Sequence, residues 1–268
     1  MSATVNISAY KFFSLDELPA LHERVLERRT TLGVKGTVLL ALEGIIAFLA
    51  GARAMIDAFT AWRRADPRFA DVAPKASLSE APPFGRLRVR LKREIITTPM
   101  PTIRPDGGRA PAVDAPTLQR WLAQGHADDG RAVLMPDTRS AYETAIGTFT
   151  DAVDYQLASF TGFPAALAAD RARYADKTVV SFRTGGIRCE KAALHMRDLG
   201  MPHVYQLDGG ILKYLEQTDG AHWRGECFVF DERGAVDTRL QAASERAAGD
   251  PAGLPGAPAA IEKKADAR

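Results

Sequence analysis

The sequence has few of the residues that build disulfide frameworks or metal sites. Its 268 residues include only two cysteines, Cys189 and Cys227, which excludes a disulfide framework and any zinc site with three or four cysteine ligands. The five histidines show no ligand spacing such as His-Glu-x-x-His. We therefore expect no metal site, and no cofactor is evident.

Long apolar stretches and targeting segments are also lacking. The apolar run Ile45–Ala50 is far shorter than the ~18 consecutive residues that cross a bilayer. Residues 1–6 have neither the basic region nor the apolar region of a secretory signal. We expect a cytoplasmic protein without a membrane partner, and no pattern indicates an oligomeric state.

Charge and composition divide the chain. Residues 1–111 contain 17 Lys and Arg against 11 Asp and Glu, whereas residues 112–242 contain 14 against 18. A basic module that could contact phosphates thus precedes a more acidic one. Proline and glycine predict a linker at 99–116, and the Ala-, Gly- and Pro-rich composition of 243–268 predicts a disordered tail. We expect domains at 1–98 and 117–222, with an extension at 223–242.

Hydrophobic periodicity predicts a different fold class for each domain. The first reads as β-α-β-β-α-β, with its last strand at 87–97 and a further short strand near 75–78; this is the ferredoxin-like, split βαβ order of an α+β domain. In the second domain strands at 132–135, 178–182 and 204–207 are each followed by a helical pattern. This alternation predicts an α/β domain with a parallel sheet flanked by helices.

The junction after strand 178–182 is the segment most suggestive of chemistry. There an apolar strand runs into a glycine-containing loop, Thr184, Gly185, Gly186 and Ile187, and then into a helix. Loop amides and a helix N-terminus together favour a thiolate or an oxyanion, and Arg188 adds a fixed cation. A tight turn that uses glycine for steric reasons explains the same pattern equally well.

Several short motifs accompany this loop in chain order. Before it come Gly36–Ala41, Glu43–Ile45, Lys92–Ile95, Asp137–Arg139, Tyr142–Glu143 and Ile146–Phe149; with and after it come Thr184–Ala192, Val204–Glu216 and Cys227–Asp231. Together they resemble the rhodanese-domain tRNA uridine hydroxylases over residues 5–237. The resemblance implies a ferredoxin-like module, a rhodanese module, tRNA as partner, and oxygen-dependent conversion of the wobble uridine to 5-hydroxyuridine with molecular oxygen as co-substrate.

The sequence departs from that family pattern at the start of the loop. The resemblance implies a cysteine there, proposed to carry a persulfide, but this chain has Arg183. A guanidinium stays cationic and cannot become a thiolate. We therefore expect an activity that is reduced, absent or altered at this position.

Other residues near the loop allow two interpretations each. Cys189 lies at the helix N-terminus beside Arg188, where a thiol pKa is lowered, yet a small buried hydrophobe is the more common role. Asp137 and Arg139 follow a strand and could both approach the loop. We interpret them as an orienting ion pair rather than as a general base and its partner.

The strand near the end of the first domain is strongly basic. Arg86, Arg88, Arg90 and Lys92 alternate with Leu87, Val89 and Leu91, which places the four cations on one face. Such a row could follow a phosphate backbone, although basic residues also protect edge strands from aggregation. The family resemblance favours RNA contact.

Three functions remain open from the sequence. The first is a tRNA uridine hydroxylase, and the second is a sulfurtransferase that uses Cys189 as persulfide carrier. The third is a non-catalytic tRNA-binding module in which Arg183 converts a nucleophile pocket into an anion clamp. Thiosulfate labelling of Cys189 and the salt dependence of tRNA binding distinguish them.

Overall fold

The computed structural model describes residues 4–72, 74–97, 110–185, 187–229 and 233–242. These residues form two compact units, 4–97 and 110–242. The predicted tail at 243–268, most of the predicted linker and Gly186 lie outside the described residues. Within the described part of the chain, no helix is both long and apolar enough to cross a membrane.

The first unit is a five-stranded sheet with two helices. Its elements are β1 (Thr4–Phe12), α1 (Leu18–Leu32), β2 (Lys35–Ala41), β3 (Gly44–Gly51), α2 (Arg53–Arg64), β4 (Lys75–Ser79) and β5 (Leu87–Leu91). The strand order is β4-β1-β3-β2-β5. Strand β5 runs parallel to β2, and the other neighbours are antiparallel.

The strand predicted at 87–97 is shorter in the structure, where it covers only Leu87–Leu91, and it does not close the sheet beside β1. The short segment 75–79 lies beside β1, whereas 87–91 is an additional edge strand next to β2. The Lys92 amide makes the last hydrogen bond to β2, at the Leu40 carbonyl, and the backbone amides of Ile95 and Ile96 donate to the Glu43 carboxylate. Alternation revealed a strand here, but its pairing partner depends on the rest of the sheet.

One face of this sheet packs against the helices. Val5 and Ile7 of β1, and Val38 and Leu40 of β2, point to that face in the alternation expected of a half-buried strand. Leu21, Val25, Ile56 and Phe59 from α1 and α2 complete the core. The basic side chains of β5 lie on the other face, because Leu87 and Val89 pack against this core.

The second unit is of α/β type with several short strands. Its elements are β6 (Ala112–Val113), α3 (Ala115–Gln124), β7 (Val133–Leu134), β8 (Pro136–Asp137), α4 (Ala141–Thr144), β9 (Gly147–Phe149), β10 (Val153–Asp154), α5 (Phe163–Ala169), β11 (Thr178–Ser181), α6 (Ile187–Asp198), β12 (Val204–Leu207), α7 (Gly210–Thr218), β13 (Trp223–Gly225), β14 (Cys227–Phe228) and β15 (Ala235–Val236). The central sheet, β6-β12-β11-β7, is entirely parallel.

Helices cover both faces of the parallel sheet. Side chains of α3 and α7 share one core cluster with Val180, Phe182 and Leu207. Helix α6 packs on the opposite side, where the Ser181 hydroxyl donates to the Cys189 carbonyl oxygen. Alternate residues of this strand therefore contact helices on opposite faces of the sheet, as expected for a parallel strand that is buried on both faces.

The structure corrects two of the expected boundaries. Residues 110–116, expected in the linker, contribute the edge strand β6 and the start of α3. Pro111 is compatible with this strand because its carbonyl accepts from the Gln206 amide and no proline N–H is needed. The described residues of the expected extension 223–242 are not separate, since Trp223, Cys227 and Val236 belong to the core of the second unit.

Candidate active site

The candidate site lies at the carboxyl ends of β8 and β11. Phe182 forms an isolated parallel bridge with Asp137, which brings the segment after one strand beside the other. The loop that follows is fixed at two points. The Arg183 carbonyl accepts from the Ile211 amide at 2.9 Å, and the Thr184 hydroxyl donates to the Phe228 carbonyl at 3.1 Å. A strand end, a fixed loop and the N-terminus of α6 thus meet where ligands of α/β sheets bind.

A fully buried ion pair lies under the site. Arg139 Nε donates to Asp137 Oδ1 at 2.9 Å and Arg139 Nη2 to Asp137 Oδ2 at 2.6 Å, and neither side chain is exposed. Burial lowers the pKa of Arg139, but the Asp137 carboxylate raises it more, so the pKa lies above its usual value. Thr148 Oγ1 donates to Asp137 Oδ2 at 2.8 Å. Both oxygens of the Asp137 carboxylate therefore accept hydrogen bonds, and an orienting role for the pair stays a prediction.

The same guanidinium also contacts the next strand. Arg139 Nη2 donates to the Gly147 carbonyl at 2.7 Å, and its Cζ lies 5.3 Å from the centroid of the Trp223 ring. A Cβ at Gly147 would lie 2.3 Å from the Glu226 carbonyl oxygen, so only glycine allows the backbones to approach this closely. Arg139 therefore connects β8, β9 and β13.

A second ion pair joins α4 to α6. Glu143 is buried, and its Oε2 accepts from the Ser140 amide and from Arg188 Nη1, each at 3.0 Å. Ser140 and Glu143 form a capping box at the start of α4. Because Arg188 is in the first turn of α6, this pair fixes the position of the helix that follows the loop.

Arg183 lies inside the unit rather than in solvent, with 5% of its surface exposed. It acts on the pKa of Tyr142 together with Arg188. Burial raises that pKa, Glu143 raises it further, and the two arginines lower it. The Tyr142 ring contacts Phe228 edge to face, with centroids 5.2 Å apart. Two cations, a buried carboxylate and a phenol therefore surround the loop.

Both cysteines are fully buried. The Cys189 thiol lies 3.8 Å from the Thr138 hydroxyl, on the side of α6 that faces the sheet. This environment is that of a packed small side chain and does not favour the sulfurtransferase alternative. Cys227 lies 3.9 Å from Thr184 Oγ1, and burial raises its pKa to about 11.

The structure brings together some predicted residues and leaves others apart. The loop and the first turn of α6 contain five of the predicted residues, Arg183, Thr184, Gly185, Ile187 and Arg188. Asp137 and Arg139 lie beside them, at the end of the neighbouring strand β8. Glu143 was missed as a site residue, although the Ser-x-x-Glu signature of residues 140–143 points to it. The row Arg86, Arg88, Arg90 and Lys92 belongs to the first unit, where all four side chains are exposed.

Among the described residues, no group of three or more His, Cys, Asp or Glu side chains is placed to hold a metal ion. Arg183 and Arg188 lie at the N-terminal end of α6, and cations beside a helix N-terminus attract negative charge. The second unit is thus an α/β unit with a cationic strand–loop–helix junction.

Comparison with known proteins identifies the family. Residues 4–95 match the model described as the UPF0176 acylphosphatase like domain. A tRNA uridine(34) hydroxylase of Cupriavidus necator is 59% identical over 90% of this chain and 86% of its own length. A tRNA uridine(34) hydroxylase of Thiobacillus denitrificans is 60% identical over 88% of this chain and 96% of its own length. The chain belongs to the tRNA uridine(34) hydroxylase family, which confirms the family that its motifs resemble.

Among solved structures, a human single-domain sulfurtransferase is 28% identical to this chain, and the match covers 40% of this chain and 97% of the sulfurtransferase, with a TM-score of 0.33.

Proposed function

We propose that this protein hydroxylates uridine 34 of tRNA and produces 5-hydroxyuridine in an oxygen-dependent reaction. One observation carries the proposal: relatives 58–60% identical to this chain, over about nine-tenths of it, are named tRNA uridine(34) hydroxylase. The first unit acts as a ferredoxin-like module and the second as a rhodanese-like domain. A tRNA substrate implies action in the cytoplasm.

The cationic junction is the proposed reaction site. Replacing the C5 hydrogen of uracil with a hydroxyl is a two-electron oxidation of the base, and molecular oxygen, the co-substrate that the family resemblance implies, is the oxidant. Arg183 and Arg188 hold the polar edge of the base or the negative charge that develops on it, because fixed cations in a buried site stabilise charge more strongly than water does. Arg183 occupies the position where the family resemblance implies cysteine, so no persulfide step passes through this residue.

Three members of the two ion pairs, Asp137, Arg139 and Glu143, support this site without touching the substrate. Asp137 and Arg139 fix the end of β8, and Glu143 fixes Arg188 through a 3.0 Å contact. They are positioning residues in the proposed mechanism. A cation that is already oriented needs no rearrangement during the reaction, which is the advantage of a preorganised site.

The first unit supplies the proposed tRNA contact. Arg86, Arg88, Arg90 and Lys92 are exposed, and none of the four forms an ion pair with another described residue. Cations two residues apart on one strand are separated by roughly 7 Å, close to the spacing of successive phosphates. These contacts provide affinity and register rather than base specificity.

The decisive experiment is mass spectrometry of nucleosides from tRNA. Cells lacking this protein are compared with the same cells expressing the wild type or Arg188→Gln. We expect 5-hydroxyuridine with the wild type and a strong decrease with the variant. If wild-type cells contain none while purified protein still binds tRNA, the non-catalytic alternative replaces this proposal.

A further inference from the structure

The first unit's sheet has a second face, opposite α1 and α2, which we call the outer face. The register of the strands defines rows of side chains across it. One row contains Ser8, Phe48, Thr37 and Arg88, and the next contains Tyr10, Ile46, Leu39 and Arg90. Because paired residues of neighbouring strands point to the same side, all of these lie on the outer face.

The outer face carries three aromatic rings on β1 and β3, of which Phe12 is buried and Tyr10 and Phe48 are half-buried. Phe48 on β3 is directly across from Ser8, and Tyr10 is two residues further along β1. The rings are therefore diagonal neighbours, with Cβ atoms roughly 7–8 Å apart. Both side chains are half-buried, so each keeps part of its surface accessible. Phe48 and Tyr10 are thus adjacent aromatic side chains, and the Tyr10 ring also meets the Phe12 ring edge to face, with centroids 6.2 Å apart.

The same face has positive charge beside the rings. Phe48 is two strands from Arg88 in its row, a distance of roughly 10 Å at ~4.8 Å per strand. Arg90 lies in the row of Tyr10, and Lys35 precedes Thr37 by two residues on the same strand. Neither Arg88, Arg90 nor Lys35 forms an ion pair with any residue that the structure describes. Their charge is available to an anionic partner.

We propose that the outer face binds an unpaired segment of the RNA substrate, with successive bases stacked on Phe48 and Tyr10 and phosphates held by Arg88 and Arg90. The proposal rests on the proposed function, which makes tRNA the substrate. Sheets with aromatic side chains on two central strands bind unpaired bases in this way, since every base has a flat π surface. Paired RNA has its bases already stacked, so the rings select for loops.

Charge complementarity and the rings together favour this occupant. A phosphate backbone matches the row of cations, but only unpaired bases also use two flat rings at adjacent positions. The inference predicts that affinity has two separable parts: a salt-dependent part from the arginines and a salt-independent part from stacking.

The test measures binding of full-length protein by fluorescence anisotropy. Three RNAs are compared: a hairpin with an unpaired loop, the same hairpin with an abasic loop, and a fully paired duplex of equal length. The variants are Phe48→Leu and Tyr10→Leu, which keep an apolar side chain but remove the ring. Phe48→Tyr restores a ring, and Leu78→Ala truncates an exposed side chain on the opposite face of β4.

We expect Phe48→Leu and Tyr10→Leu each to bind the unpaired loop about tenfold more weakly, with no change for the abasic loop. Phe48→Tyr and Leu78→Ala should bind like the wild type. Wild-type affinity in both leucine variants, or equal losses for abasic and intact loops, would overturn the inference. So would preference for the duplex, or a dimer that dissociates in Phe48→Leu, because a second copy would then occupy the face.

This outcome is separable from that of the proposed function. If Phe48→Leu binds loops normally while 5-hydroxyuridine is still formed, the inference fails and the function stands. If loop binding requires the rings but no hydroxylated nucleoside is formed, the function fails and the inference stands.

Discussion

Arg139 and Asp137 form a two-point ion pair from which solvent is fully excluded, with N–O distances of 2.9 and 2.6 Å. The pair lies two residues apart in sequence and yet connects three strands, because Arg139 also donates to the Gly147 carbonyl and lies over the Trp223 ring. Loss of one partner would leave a charge in a site without water. We therefore expect loss of either partner to affect folding before it affects chemistry.

We predict that Asp137→Asn lowers the free energy of unfolding by about 3–5 kcal/mol, the usual cost of leaving a buried charge without its counterion. Urea denaturation followed by circular dichroism measures the change. Asp128→Asn serves as control because it removes an exposed partner of Arg120 and should have a far smaller effect. Equal losses in the two variants would contradict the role assigned to burial.

We predict that Glu143→Gln reduces the rate of uridine hydroxylation roughly ten- to a hundredfold while KM for tRNA stays unchanged. The amide can still accept a hydrogen bond from Ser140 but no longer balances the charge of Arg188, so the helix after the loop loses its fixed position. Steady-state kinetics with nucleoside detection measures both constants. A change in KM alone would show that Glu143 serves tRNA binding instead.

We predict that Arg183→Cys creates a thiolate that attacks the outer sulfur of thiosulfate, forming a persulfide and releasing sulfite, because the α6 N-terminus and Arg188 favour a thiolate there. Persulfide-selective labelling and mass spectrometry locate the sulfur. Arg183→Ser is the matched control. The native wild type should remain unlabelled, since Cys189 and Cys227 are fully buried. An inert Arg183→Cys thiol would mean that residue 183 does not face the loop amides.

We predict that stability decreases as the pH rises from about 9 to 11, in part through Cys227. Burial raises the pKa of this thiol from 9.0 to about 11, so over this range the unfolded chain loses the proton while the folded chain keeps it. Deprotonation then favours unfolding. Urea titrations at several pH values should show a shallower decrease for Cys227→Ala, and an identical decrease would refute the assignment.

We predict that the double variant Arg86→Gln and Arg88→Gln binds tRNA more weakly, with the largest loss at low salt. Each removed phosphate contact should reduce the slope of log K against log salt concentration by about one. Filter binding across a salt series measures the slope. Arg64→Gln, which removes an exposed cation from α2, is the control and should leave it unchanged. Parallel losses at all salt concentrations would argue against phosphate contact.

The sequence alone was sufficient for features that depend on local periodicity and on motifs. Alternation of Arg and Leu in 86–92 indicated a strand with one basic face, and the apolar run before Arg183 indicated a strand followed by a loop and a helix. Family membership followed from motifs in order along the chain. These signals are local because the alternation of side chains along a strand does not depend on what the strand pairs with.

Tertiary structure alone decided which distant residues meet. The sequence did not show that 75–79 lies beside β1 while 87–91 lies at the other edge, or that 110–116 and 223–242 join the second unit. The sequence allowed Cys189 to be either a nucleophile or a packed side chain. The structure places its thiol in a fully buried position against Thr138. Glu143 with Arg188, and Phe48 beside Tyr10, are neighbours only through packing and sheet register. Register and burial are set by the sum of many long-range contacts, so no single segment of sequence encodes them.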